Sequence, residues 1–126
     1  MAVIGSKGEL LDLLVRQGAT FGPHEIVLQG ANEVPIDLTG MSFRAQARKT
    51  FSAATADATF SFTIEDAANG VFTFSLPAAV TQNLIAGADE FDPTSVYVWD
   101  MEMEDSLGRV TPLFYGTLRV FREITR

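Results

Sequence analysis

Residues that could do chemistry are few in this chain, and their spacing matches no familiar catalytic site. His24 is the only histidine, and no serine stands in a Gly-x-Ser-x-Gly turn that would make it a nucleophile beside a histidine base. A metal site needs several histidine, cysteine or carboxylate ligands. A lone histidine therefore predicts an exposed or strand-edge residue, and we expect no catalytic residue, no metal site and no cofactor.

The acidic residues of 89–92 are a second candidate for chemistry. Asp89, Glu90 and Asp92 could offer oxygens to a calcium ion, but they lack the ligand spacing and turn glycine of an EF-hand loop. A glycosidase could use any two converging carboxylates, and the sequence identifies no such pair. We expect a solvated loop here.

Three acidic residues at a spacing of two form the most distinctive charged pattern. Asp100, Glu102 and Glu104 fall on one face of a predicted strand, where like charges repel one another. Cationic side chains on neighbouring strands could offset this repulsion: Arg44, Arg48 and Arg119. Two interpretations stay open. One is a solvated face whose ion pairs contribute about 0–1 kcal/mol each, and the other is an acidic interface that docks a basic partner subunit.

Composition limits the classes of function. The 126 residues suit one domain, and 47% hydrophobic content with ten phenylalanines suffices for a core. The absence of cysteine excludes a disulfide framework and a thiolate site. A net charge of −7 disfavours nucleic-acid binding. The apolar runs are too short to cross a bilayer and the N-terminus lacks a signal-peptide layout, so we expect no membrane partner and assembly inside a cell.

Strict alternation predicts strands that position these residues. Apolar and hydroxyl-bearing residues alternate over 59–64 and again over 72–76, with Asn69-Gly70 between them, which is typical of a β-hairpin. We expect the strand aromatics to be core residues: Phe60, Phe62, Phe72, Phe74 and Trp99.

Residues 96–104 and 110–125 predict a second hairpin that turns at 105–108. Its first strand places Tyr97, Trp99, Met101 and Met103 on one face and the acidic residues on the other. Its last strand is apolar on both faces, and Gly116 within it predicts a bulge or a close approach by another backbone. The candidate partner interface joins the acidic residues to one apolar face of the last strand: Asp100, Glu102, Glu104, Leu113, Tyr115 and Phe121.

Two shorter segments complete the expected organisation. Residues 10–16 fit either a short amphipathic helix, with a capping-box spacing at Ser6 and Glu9, or an alternating strand. Residues 78–85 predict one or two helical turns. We expect an N-terminal arm over 1–9 and one domain over 10–126. About seven strands with turn signals every ten residues predict an all-β, Ig-like antiparallel β-sandwich with at most one short helix.

The order of turns and strands resembles a known family. The matching segments run through the chain in this order: 16–21, 36–40 leading into 43–48, 65–72, 97–102, 108–110 and 118–126. Together they resemble the small Ig-like β-sandwich domains of tailed-phage structural proteins, such as the N-terminal domain of the baseplate upper protein and tail-fibre adaptors. The resemblance also favours a strand at 10–16.

This resemblance implies a structural role without catalytic residues. The expected protein is an adaptor in the tail, baseplate or fibre-attachment region of a virion, assembled in the host cytoplasm. Many copies would contact other phage structural proteins through the arm and strand edges, above all those of the last strand. The alternatives are a capsid decoration protein and a host-glycan-binding module with exposed aromatics; an enzyme is a remote third.

Overall fold

Two β-sheets pack face to face in this protein, seen in a computed structural model that describes residues 8–86 and 94–122. The strands of these residues are β1 (Glu9–Leu10), β2 (Leu13–Arg16), β3 (Phe21–Val27), β4 (Ser42–Arg48), β5 (Ala58–Thr59), β6 (Ser61–Asp66), β7 (Val71–Leu76), β8 (Thr94–Glu104) and β9 (Val110–Phe121). A 3₁₀ turn at Ala31–Glu33 and one short helix, α1 (Ala78–Thr81), accompany them. The predicted all-β class is confirmed.

The strand order is that of an Ig-like sandwich. The six-stranded sheet has the order β1–β9–β8–β4–β5, with β2 also paired to β9, and the three-stranded sheet has the order β3–β7–β6. Strands β1 and β2 pair with β9 in one register, and β5 runs into β6 as the chain crosses between sheets. If β1 with β2 and β5 with β6 are each counted as one strand, the total is the expected seven. The antiparallel expectation fails at one place, because β1 and β2 run parallel to β9.

The segment 10–16 is extended, as the resemblance favoured, and it contains no helix. Leu13 and Val15 are buried while Leu14 and Arg16 are exposed, so alternation and not the helical spacing of the leucines decides the structure. Glu9 pairs with Phe114 and so belongs to the sandwich rather than to an arm. The predictions for residues 1–7 and for the acidic loop at 89–92 lie outside the described residues.

Aromatic side chains fill the space between the sheets. Phe74 stacks on Trp99 with ring centroids 6.2 Å apart, and Phe72 stacks on Phe43 at 4.2 Å. Phe60 is also buried and Phe62 is half-buried, so the predicted set of core aromatics is confirmed. The indole Nε1 of Trp99 donates a 2.8 Å hydrogen bond to the Leu11 carbonyl oxygen, which ties the edge strand to the core.

Aspartate side chains stabilise two turns, one before β4 and the predicted one between β8 and β9. Asp37 Oδ1 accepts hydrogen bonds from the Thr39 amide at 2.9 Å and the Thr39 hydroxyl at 2.7 Å. Between β8 and β9, Asp105 accepts from the amides of Leu107 and Arg109, both at 2.9 Å. Such side-chain contacts to backbone favour a turn over continued strand. None of the described helices is long or apolar enough to span a membrane.

Candidate functional site

The solvent-facing side of the six-stranded sheet, here called the outer face, collects most of the predicted interface residues. Alternation along β8 separates its two sides as expected. Tyr97, Trp99, Met101 and Met103 are buried, whereas Asp100 is exposed and Glu102 and Glu104 are half-buried. The acidic residues therefore project from the outer face.

Arg44 reduces the repulsion among the three carboxylates of β8, Asp100, Glu102 and Glu104, which we call the acidic ladder. It lies on β4 directly opposite Glu102 of β8, its Nε donates to Glu102 Oε1, and its Nη1 lies 3.5 Å from Glu104 Oε1. The hydrogen bond to Glu102 and the negative charge of Glu102 raise the pKa of Arg44. Arg44 is thus one of the predicted cationic partners. Arg119 lies elsewhere, opposite Val96.

Asp100 occupies a different environment from the other two acidic residues. Although its side chain is exposed, neighbouring side chains remove part of the water around its carboxyl group; this desolvation raises the pKa of Asp100, and the nearby charge of Glu102 raises it further. Arg48 and Arg44 act in the opposite direction. The carboxylate of Asp100 is therefore less well hydrated than a free side chain. A cation supplied by a partner protein would stabilise its charged form.

A hollow of about 430 Å³ opens on the outer face around Asp100. Its lining is mainly apolar, with a few polar groups: Leu10, Gln46, Arg48, Phe51, Val98, Trp99, Asp100, Tyr115, Gly116 and Thr117. The sequence did not predict this hollow. Phe51 belongs to a small polar loop and Leu10 to the ambiguous N-terminal segment, so no pattern placed either beside β8.

Large apolar side chains surround the hollow and extend along the outer face. Phe51 is 91% exposed, Leu10 64%, Leu14 60%, Val96 49% and Phe121 37%. In register, Leu14 lies across from Arg119, and Arg119 lies across from Val96. Single exposed apolar residues are ordinary, but several on one face are typical of an interaction surface, and here Arg119 and Asp12 lie among them.

The predicted apolar side of the last strand is partly wrong. Leu113 is only 1% exposed, because the register between β8 and β9 shifts after Met101 and makes Leu113 the extra residue of a bulge. Leu113 therefore lies in the core and cannot contact a partner on the outer face. Tyr115 is half-buried in the lining of the hollow, and Phe121 remains exposed.

Strand β9 also lacks the free edge expected of it. Over 114–121 it pairs with β8 on one side and with β1 and β2 on the other. Both rows of its backbone groups face other strands along this stretch, so β-augmentation there is excluded in this fold. The apolar character on both sides of β9 reflects a central strand.

Gly116 marks the close approach of backbone that the sequence offered as one explanation. A Cβ atom added at Gly116 would overlap the Leu11 carbonyl oxygen and lie 2.9 Å from Asp12 Oδ1. The Asp12 carboxylate replaces a backbone acceptor here, taking 2.9 Å hydrogen bonds from the Thr117 amide and hydroxyl. These bonds hold the pKa of Asp12 below its usual range.

The remaining residues of chemical interest serve packing in this fold. His24 is exposed at its strand and its ring lies 4.6 Å from the ring of Phe21 and 6.0 Å from that of Phe74, centroid to centroid. Within 8–86 and 94–122, no group of three or more histidine, cysteine or carboxylate side chains is placed to hold a metal ion.

Comparison with known proteins adds no family to this description. No protein-family model matches the chain, and no curated protein matches it.

Proposed function

We propose that this chain is a non-enzymatic structural protein of a tailed-phage particle, an adaptor in the tail, baseplate or fibre-attachment region. The observation that carries the proposal is the outer face. It combines exposed apolar side chains, a shallow hollow and a partly compensated acidic ladder on a rigid sheet. Such a surface suits contacts between proteins, which use an apolar centre with charged surroundings.

The resemblance in turn and strand order supplies the context of a virion. The Ig-like strand order is compatible with that resemblance, although the same fold carries many functions and cannot assign one by itself. The interior gives further support, since its two sheets are joined by aromatic packing and leave the sheet surface and loops for function.

Purified particles of the phage whose genome encodes the chain provide the test. We expect the protein at a fixed copy number per particle by quantitative mass spectrometry. Gold-labelled antibody should mark the tail, baseplate or fibre attachment in electron micrographs. Absence from washed particles would contradict the proposal, and label over the head shell would replace it with the decoration-protein alternative.

The host-glycan alternative loses its main candidate residue in this fold. Trp99 is 3% exposed and its indole nitrogen is bonded to Leu11, so its ring cannot stack on a sugar. Phe51 and Tyr115 are the other aromatics that line the hollow. Sugar-dependent chemical-shift changes confined to the hollow would restore this alternative, and their absence across a panel of host cell-wall sugars would remove it.

A further inference from the structure

We propose that the outer face is the contact surface of a symmetric homodimer in which two copies pack their six-stranded sheets face to face. Two-fold symmetric dimers are the commonest protein assemblies, and each copy contributes the same patch. The inference concerns the same surface as the proposed function and names a second copy of the chain as its partner; its test is independent of that function, because a dimer can form in solution without a particle. Size, shape and charge of the outer face each support it.

The outer face is large enough for a stable contact. With strands about 4.8 Å apart and a rise of about 3.4 Å per residue, the 38 residues of its six strands span roughly 620 Å². Standard interfaces bury about 600–1,000 Å² per partner, so the strands alone reach the lower end of that range. Two sheets that pack in an aligned sandwich also match in shape, since both carry the same twist.

The shape of the outer face is self-complementary. Phe51 projects into solvent at the rim of the hollow, with 91% of its side chain exposed. A projecting apolar side chain beside a hollow is what an isologous contact requires, because each copy supplies both parts. In the dimer, Phe51 of one copy covers the partner's hollow, and the exposed side chains of Leu10, Leu14 and Val96 lose their contact with water.

Charges of opposite sign separate along the strands of the outer face. Arg119 lies opposite residue 96 of β8 and Arg48 opposite residue 98, so both cations lie before Trp99 along the strand, where the Asp12 carboxylate offsets part of their charge. Asp100, Glu102 and Glu104 lie after Trp99, where Arg44 pairs with Glu102 and Glu104. The outer face therefore has a level of net positive charge before Trp99 and a level of net negative charge after it.

A two-fold axis that crosses the strands at the level of Trp99 brings these levels together. The axis reverses the strand direction of the partner, so residue 96 of one copy lies over residue 102 of the other, and residue 98 over residue 100. Arg119 on β9 and Arg48 on β4 then lie one strand to the side of the partner's Glu102 and Asp100, a lateral distance of about 4.8 Å that an arginine side chain can span. Each contact occurs twice, which converts the repulsion along the acidic ladder into attraction across the interface.

Sedimentation equilibrium of the full chain tests the proposal first. We expect a monomer–dimer equilibrium between 13.7 kDa and twice that mass. A chain that stays monomeric up to about 1 mM, where even a weak dimer of about −4 kcal/mol is half formed, would overturn the proposal.

Two matched valine variants test which face is used. Val96→Asp places an anion over the partner's Glu102, whereas Val27→Asp makes the same change on the three-stranded sheet; the two valines are 49% and 40% exposed. We expect Val96→Asp to raise the dimer Kd at least about tenfold and Val27→Asp to change it less than about twofold. Equal effects of the two variants would contradict the proposed face, and circular dichroism checks that both remain folded.

Charge exchange tests the register. We expect Arg119→Glu and Glu102→Arg each to weaken self-association, because each removes both copies of the Arg119–Glu102 contact. An equimolar mixture of the two variants should form a heterodimer, in which one contact is native and the other has its charges exchanged. Failure of the mixture to associate more tightly than either variant alone would overturn the proposed arrangement.

Discussion

Tyr97 and Val98 are neighbours in the chain, yet they lie on faces of the six-stranded sheet that differ in most physical respects. Tyr97 points into the core, where Trp99 and Met101 are also less than 4% exposed. Val98 points to the outer face, beside a hollow and a row of charges. The inner face is determined by packing, because any change of volume there leaves a cavity or a clash.

The outer face contains residues that the fold itself does not require. Exposed Leu10, Leu14 and Phe51 gain little from folding since they remain in water, and surface ion pairs such as Arg44–Glu102 contribute little to stability. Folding stability thus explains the residues of the inner face. The exposed apolar residues of the outer face need another explanation, such as binding to a partner. Substitutions on each face can measure that difference.

The largest expected contrast is between two leucines that lie close together in the sheet. Leu118→Ala empties a fully buried site on the inner face and should lower the free energy of unfolding by about 2–5 kcal/mol. Leu14→Ala changes a side chain that is 60% exposed and should change it by less than about 0.5 kcal/mol. Urea titration at one low protein concentration measures both. Equal losses would mean that the outer face contributes to the core.

Gly116→Ala should have the next largest effect, on the central strand β9 where the segment joining β1 and β2 packs against it. Its added methyl would collide with the Leu11 carbonyl group and force β1 and β2 away from β9. We expect a loss of about 1–3 kcal/mol, as for other overpacked sites. Gly30→Ala is the control, because its added carbon meets nothing nearer than the Val34 oxygen at 3.8 Å. A similar loss in both variants would point to a backbone effect instead.

The inner face could be predicted well from sequence and the outer face could not. Alternation over 59–64, 72–76 and 96–104 identifies which side chains are buried, because a strand turns successive residues to opposite sides. Asn69-Gly70 likewise identifies its hairpin, since Gly70 needs the positive φ of +73° that it has here. These signals are local, and local signals are what a single sequence contains.

The features that the sequence predicted wrongly or did not predict all depend on contacts between segments that are distant in the chain. The prediction for Leu113 is wrong because a bulge depends on how β9 registers with β8, and no local pattern records that register. Parallel pairing of β1 and β2 with β9 joins residues about 105 positions apart. The hollow depends on Phe51 and Leu10 reaching the same sheet, so it appears only in three dimensions.

Asp12→Asn should reduce stability through the edge of the sheet. Hydrogen bonds from the Thr117 amide and then its hydroxyl lower the pKa of Asp12 below its ordinary 3.8. A depressed pKa means that the carboxylate stabilises the fold above pH 3.8, and that this contribution is lost as pH falls through the folded-state pKa. We therefore expect a lower Tm for Asp12→Asn at pH 7 and convergence with the wild type in acid. A constant difference in Tm at every pH would mean that the charge is not what matters.

Asp100→Asn should have the smallest effect and the opposite sign. Burial, and then the charge of Glu102, raise the pKa of Asp100 above 3.8, so the fold loses stability as pH rises from 3.8 through the folded-state pKa. At pH 7 the neutral amide removes this cost, and the isolated monomer of the variant should melt slightly higher than the wild type. Below pH 3 the two proteins should melt together, since Asp100 is then protonated in both states.

The pair of aspartate variants decides whether the outer face supports folding or association. Hydrogen bonds from Thr117 stabilise the charged form of Asp12. Desolvation and the like charge of Glu102 destabilise the charged form of Asp100. If Asp100→Asn stabilises the monomer and also weakens self-association, the carboxylate is retained for a contact outside the fold. If it destabilises the monomer as Asp12→Asn does, the hollow is part of the sandwich's own architecture, and the distinction between the two faces fails at its centre.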